Sequence, residues 1–188
     1  MERDIEKFSR AVAENYFEDL RLDKENLRDK KILDIGSRES LFAKWAKDQG
    51  VSTEVYNLDL HDNFLQRQKS VQGAAEKLPF LDESFDLIVS HAAVPNEFVL
   101  DIYPRKRTTE SINDMLRALK VNGEIRLGPL GRLGDDKYPH YKIYQALKKR
   151  LTELQNQGKI EFRLVPLETY ELDHRIEQNY LAIIKKLK

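Results

Sequence analysis

Apolar and polar positions along the chain follow two periods. Ile5, Phe8, Val12, Tyr16 and Leu20 recur every three or four residues among acids and bases, which predicts an amphipathic helix over residues 4–21. Such a helix packs on a domain or lids a ligand cleft, and the pattern leaves both open. A charged connector then enters Ile32-Leu-Asp-Ile35, a buried-strand run that stops at Gly36. Leu41, Phe42, Trp45 and Ala46 follow at helical spacing up to Gly50. Strand, tight turn and helix therefore succeed one another within twenty residues, with the turn at Gly36 to Ser40.

The same reasoning places a second strand at residues 53–60, ending near Asp59, and a short third strand around residues 70–73. Phe85 to Val89 is the clearest strand run. It predicts a fourth strand that delivers Ser90 and His91 to the edge holding Gly36 and Asp59, if the strands are parallel. Residues 92–107 have no long period and predict a loop with a short helix. Ile112, Met115, Leu116 and Leu119 form a helical stripe closed by Asn122-Gly123, followed by a fifth strand over residues 124–128 and a glycine-rich loop over 128–134. Tyr144, Leu147, Leu151 and Leu154 mark another helix, ended near Gly158. Ile160, Phe162 and Leu164 alternate with Glu161 and Arg163 as a sixth strand, and residues 180–184 make the last. Residues 166–179 are expected to be polar and irregular. Without a helix-length connection, the final pair should be antiparallel.

Alternation of strand and helix predicts an α/β sheet covered on both faces. At 188 residues the chain suits one domain with a sizeable core, residues 1–188 together, with 1–30 as an N-terminal helical extension. Lys plus Arg and Asp plus Glu both number 32, so no net field draws it to nucleic acid or membrane. There is no cysteine, which removes disulfides, thiolate metal sites and cysteine nucleophiles and fits a cytoplasmic setting. No apolar run approaches the roughly 20 residues needed to span a bilayer.

In open α/β sheets ligands bind outside the carboxyl ends of the strands, where a helix N-terminus offers unpaired N–H groups. Asp59 lies about 20 residues after the turn, where nucleotide-binding folds place a carboxylate for ribose hydroxyls. An acid ending a strand in an Asx-type turn occupies the same place. A dinucleotide would need three close glycines to seat its pyrophosphate, and this turn has one.

The ordered set of segments resembles the class I S-adenosylmethionine-dependent methyltransferases. Leu33-Asp-Ile-Gly36 looks like their first motif, Asp59 like their ribose acid, and residues 75–80 with 84–89 like their adenine-side loop and fourth strand. Residues 119–124 resemble their turn into the fifth strand. The resemblance covers roughly residues 30–188. It implies a Rossmann-like three-layer sandwich with a seven-stranded, mostly parallel sheet and an antiparallel last strand. It also implies S-adenosylmethionine as cofactor, held by Asp34, Gly36, Ser37, Arg38, Asp59, Ala75, Glu76 and Ser90. Two features depart from the family: Arg38 and Ser40 stand where further glycines are usual, and Ala74 where an acid or amide is usual. Arg38 must adopt left-handed geometry at a cost of about 1–2 kcal/mol or change the turn. Its guanidinium could meet the methionine carboxylate, or it could point to solvent, with the pocket degraded.

Methyl transfer from a sulfonium is an in-line displacement, which asks the protein to align two reactants and, where needed, to remove a proton. His91 is the candidate base, at the active edge with a side chain suited to neutral pH. A structural histidine at a strand end is the bland alternative. His61, His140 and His174 show no metal-ligand spacing. Tyr103, Arg105, Lys106, Arg107, Arg132 and Tyr138 could edge an acceptor pocket, the basic ones favouring an anion, although a charge run also serves as a solvated face. With no inserted domain to grip a macromolecule, a small-molecule acceptor is favoured over RNA or protein. The competing reading is an inert methyltransferase-like domain that binds a partner.

Overall fold

The computed structural model describes residues 16–38, 40–51, 54–61, 69–131, 137, 140–172 and 175–188. Its strands are β1 (Lys31–Ile35), β2 (Glu54–Asp59), β3 (Ser70–Gln72), β4 (Phe85–His91), β5 (Leu119–Gly131), β6 (Ile160–Leu172) and β7 (Arg175–Lys186). They form one seven-stranded sheet in the order β3-β2-β1-β4-β5-β7-β6. Neighbours from β3 to β5 are parallel. Strand β7 runs antiparallel to both β5 and β6. The helices are α1 (Lys24–Leu27), α2 (Leu41–Asp48), α3 (Pro104–Ala118) and α4 (Tyr141–Asn156), with a 3-10 segment at Asn96–Leu100.

Side-chain alternation along the strands separates two cores. Leu33, Ile35, Leu58, Ile88, Ile125 and Ile184 pack under α3 and α4, against Ile112, Met115, Leu147 and Leu151. Ile32, Val55, Leu87, Val89 and Ile183 point the other way, onto Tyr16, Leu20, Leu27, Phe42 and Ala46. Consecutive strand residues such as Ile32 and Leu33 thus face opposite layers, and both must be apolar. The result is the expected three-layer arrangement, with the first connections crossing over so that β1, β2 and β4 all end on one edge.

Several boundaries differ from the sequence expectation. Residues 16–19 are helical, while the earlier part of the expected 4–21 helix lies outside the described residues. Ser90 and His91 belong to β4 itself rather than following it. Helix α3 begins at Pro104, where proline at the first turn loses no intrahelical bond. Strand β5 begins directly at Leu119 and absorbs Asn122 and Gly123, and it continues through Gly128 to Gly131. The expected glycine-rich loop is therefore partly strand, and residues 132–136 lie outside the described ones. The largest correction is at residues 166–179. They are not irregular: β6 runs to Leu172 and β7 starts at Arg175, paired across a register shift at Pro166 to Thr169. A proline cannot donate to a ladder, and a bulge accommodates it.

Among the described residues, no helix is long and apolar enough to cross a membrane. Among them, no group of three or more His, Cys, Asp or Glu could hold a metal ion.

Candidate functional site

The turn after β1 is built on one glycine and one carboxylate. Gly36 has φ of +75°, and a Cβ added there would lie 2.3 Å from the Ala93 Cβ. The backbone therefore requires glycine twice over, for conformation and for space. The Gly36 N–H donates to the Leu58 carbonyl at 2.8 Å, closing the turn on β2. Arg38 and Ser40 follow at φ of 41° and 55°. Both non-glycine residues take the left-handed conformation, and Ser40, which precedes helix α2, gives it no side-chain cap.

Asp59 stabilises this strained turn. Its Oδ2 accepts the Arg38 backbone N–H at 2.9 Å, and its Oδ1 accepts the His61 N–H at 3.0 Å. The second bond is an Asx-type turn, so the bland expectation for Asp59 describes it correctly. Yet Asp59 also lines the cleft, and the two descriptions hold together. The Arg38 side chain is exposed and is not among the residues lining the cleft.

Asp34 lies behind the turn, fully buried. Neither of its carboxylate oxygens has a hydrogen-bond partner. Burial, and then the neighbouring Asp59 charge, push its carboxyl up to about 8. Tyr16 covers this region, stacked on Phe42 at 5.5 Å and tilted on His91 at 4.5 Å. Its phenol is raised by burial first and then by the Asp34 charge. Asp19, one helical turn on, meets His91 Nε2 at 2.7 Å. The described end of the N-terminal segment thus closes over the carboxyl edges of β1 and β4. Ser90 is also fully buried, and its Oγ donates to the Ile35 carbonyl and accepts the Val94 N–H. The hydroxyl thus ties β4 to β1 through Ile35 and to the following loop through Val94. Ser37 is buried in the turn.

From Gly36 and Asp59 a cleft runs along the sheet edge to Glu76 and Arg107. Leu58, Leu60, Ala75, Val94 and Phe98 supply its apolar walls. At the far end Arg107 bonds Glu76 Oε1 and meets Asp101 Oδ2 at 2.5 Å, with its guanidinium 4.3 Å over the Phe98 ring. The Glu76 hydrogen bond is the main cause holding the Arg107 guanidinium above its ordinary range. Two carboxylates thus already occupy Arg107, and it does not present a free cation to an anionic acceptor. Arg105, Lys106 and Tyr103 are exposed at the start of α3, whereas Arg132 and Tyr138 lie outside the described residues.

Of the expected cofactor residues, the cleft brings together Gly36, Asp59, Ala75 and Glu76. Asp34, Ser37 and Ser90 lie beneath its end. Glu97, Phe98 and Asp101 join the site without any sequence signal, because only the fold of the 3-10 segment against residues 75–76 brings them there. The Asp19–His91 pair was equally silent, spanning 72 residues.

A mostly parallel seven-stranded sheet with β7 reversed, bearing a glycine turn and a strand-end acid at its carboxyl edge, defines a class I S-adenosylmethionine-dependent methyltransferase fold. The chain belongs to the methyltransferase-domain family, whose model matches residues 33–127. It is 31% identical over 136 residues to an uncharacterized protein of Haemophilus influenzae, an overlap of 66% of this chain and 51% of that relative. The chain thus spans about half the length of the curated relative it matches. Its fold is similar to that of an S-adenosylmethionine-dependent methyltransferase from Methanosarcina mazei, with TM-score 0.56 and 19% identity, covering 87% of this chain and 96% of that one. A putative S-adenosyl-L-methionine-dependent methyltransferase from Methanococcus maripaludis gives TM-score 0.56 and 20% identity, with 94% and 84% covered.

The cofactor implied is S-adenosylmethionine, and the residues present fit it. Asp34 lies fully buried behind the turn with two unpartnered oxygens. The two recorded bonds to Asp59 fall on different oxygens, so each keeps a lone pair for a hydroxyl.

Proposed function

We propose that this chain transfers a methyl group from S-adenosylmethionine to a small-molecule acceptor, with residues 1–188 acting as one domain and residues 1–30 as its N-terminal extension. The observation that carries the reading is Asp59, fixed by two backbone N–H groups at the mouth of a turn whose glycine admits no side chain. The bound cofactor supplies an electrophilic methyl group on a sulfonium. Asp34, Gly36, Ser37 and Arg38 form the methionine end, where a carboxylate attracts the ammonium and a guanidinium meets the carboxylate. Asp59 accepts from the ribose hydroxyls, Ala75 and Glu76 flank the base, and Ser90 braces the strand ends. Tyr16 and the residues following it exclude water from the methionine end, which strengthens each electrostatic contact there. Asp19 orients His91 through Nε2, so a proton leaving the acceptor would pass to Nδ1.

An inert, partner-binding domain is the alternative, motivated by Arg38, Ser40 and Ala74. Its main support would be an Arg38 side chain filling the turn. That side chain is exposed, so it does not fill the turn; it also does not line the cleft, the solvent-facing arrangement that goes with a degraded pocket. Calorimetric titration with S-adenosylmethionine tests the reading: saturable binding in the micromolar range is expected. Absence of heat up to millimolar ligand would overturn it.

A further inference from the structure

We propose that Arg126 is a positioning residue for the cofactor site, holding the end of the N-terminal segment where Tyr16 and Asp19 close on His91. The proposal rests on the cofactor reading above. The segment ends in a helical turn whose Arg21 stands at φ of 47°, a left-handed place more often given to glycine. The Leu22 N–H donates to the Phe17 carbonyl at 2.9 Å and the Arg21 N–H to the Glu18 carbonyl at 3.2 Å, the paired bonds of a helix that stops. The Leu20 and Arg21 carbonyls then lie beyond the helix's own bonds. Arg126, 105 residues after Arg21 and on β5, serves both. Its Nη1 donates to the Leu20 carbonyl at 2.9 Å and to the Arg21 carbonyl, which Asn26 Nδ2 also reaches at 3.4 Å.

The guanidinium is itself held for this contact. Its side chain is only 11% exposed, and Nε donates to Glu124 Oε1 at 2.5 Å, which fixes the plane of the fork. A second clasp runs the other way, from Arg21 Nη2 to the Pro166 carbonyl on β6 at 3.2 Å. What the two clasps hold lies just before them in the chain. Asp19 meets His91 Nε2 at 2.7 Å, and the Tyr16 ring lies 4.5 Å from the same imidazole. Burial raises the Tyr16 phenol most, and the charges of Asp34, Arg38 and Asp59 act on it next, which sets it among the groups of the methionine end. The bonds of Arg126 go to Glu124, Leu20 and Arg21, so it acts on the site through the segment.

The test is calorimetric binding of S-adenosylhomocysteine to the whole chain and to Arg126→Met, with hydrogen exchange read at the amides of residues 20–22. A hydrogen bond to a charged group shifts an equilibrium by on the order of 10- to 100-fold, so exchange at those amides should quicken by that factor in the variant. Affinity follows the docked fraction of the segment and should weaken about tenfold. Arg126→Lys keeps the charge beside Glu124 and a donor for one carbonyl, so it should bind within about threefold of the unaltered chain. Arg126→Gln, too short to serve both carbonyls, should behave as the methionine variant and replaces it if that one fails to fold. Two comparisons separate positioning from stability. Leu147→Ala opens a cavity in the opposite layer and should melt earlier, yet bind within about twofold of the unaltered chain. Tyr16→Ala should weaken binding, and adding Arg126→Met to it should change binding by less than about twofold, because both act through one contact. Unchanged affinity or exchange in Arg126→Met, an equal loss in Leu147→Ala, or losses that multiply in the double variant would overturn the assignment. If S-adenosylhomocysteine does not bind the unaltered chain, the cofactor reading fails and the positioning role fails with it.

Discussion

Asp34 makes the free protein's stability depend on pH in an unusual direction. Its carboxyl lies near 8 in the folded chain against an ordinary 3.8, because of burial and then the Asp59 charge. A raised carboxyl pKa means that the folded state binds a proton which the unfolded state has released. Between about pH 4 and pH 8 stability therefore falls as pH rises, and below about pH 4 the penalty vanishes. At ~1.4 kcal/mol per pKa unit, the full penalty above pH 8 is about 6 kcal/mol in the dry limit, and local water entry reduces it to roughly 3–5 kcal/mol. Asp34→Asn removes the titration while keeping the shape. Urea melts of both proteins, taken from pH 5 to pH 8.5 without cofactor, isolate the effect as a difference between them. Near pH 5 the variant should be about as stable as its parent or slightly less so, since the amide gains a donor with no partner. By pH 8.5 it should be more stable by about 3–4 kcal/mol. Other titrating groups cancel in the difference, so a gap that stays flat with pH would refute the argument.

Two further substitutions test the turn. Gly36→Ala forces a Cβ to 2.3 Å from the Ala93 Cβ and fixes alanine at φ of +75°, costing about 3 kcal/mol in a urea melt. Adding Ala93→Gly should restore about half, because it removes the clash and leaves the dihedral. Arg38→Gly keeps the N–H that Asp59 accepts, so its melt should show stability unchanged or raised by up to about 1 kcal/mol. Calorimetry should show cofactor affinity about tenfold weaker; an unchanged affinity would remove the guanidinium from the methionine end.

The parts of the fold that were legible are those buried on both faces. In β1 and β4 the buried positions of both faces call for apolar residues, so Ile32 to Ile35 and Phe85 to Val89 stand out as runs, with Asp34 the fully buried exception and Asp86 a half-buried one. The outer half of the β6–β7 hairpin was not legible. It pairs mainly with itself beyond the end of β5, whose last partner is Asn179, so it has no second layer to demand an apolar pattern. Asn122-Gly123 misled for a related reason: it reads as a helix stop, and the helix does end just before it, but Asn122 takes its left-handed φ of 65° inside a strand. At the site, Asp59 and Gly36 carried a local signal because the spacing between two consecutive strand ends is nearly constant. Arg107 carried the wrong one. As part of a basic run it suggested a free cation, and only the return of the chain to Glu76 and Asp101 shows it neutralised.

The missing glycines and the ribose acid are one problem rather than two. A left-handed Arg38 costs about 1–2 kcal/mol, and a hydrogen bond from its N–H to a charged acceptor contributes about 1.5–3 kcal/mol. A single bond to Asp59 is therefore enough to offset the lost glycine, and it puts the offset on the residue proposed above to hold the ribose. A ribose held there as proposed would not compete with this bond, since the two backbone donors engage different oxygens and each oxygen keeps a second lone pair. It follows that binding and turn geometry are coupled through one carboxylate. Removing Asp59 releases two backbone N–H groups as well as the ribose contact. A loss of affinity in such a variant measures both, and only the Arg38 backbone, which can be relaxed separately, tells them apart.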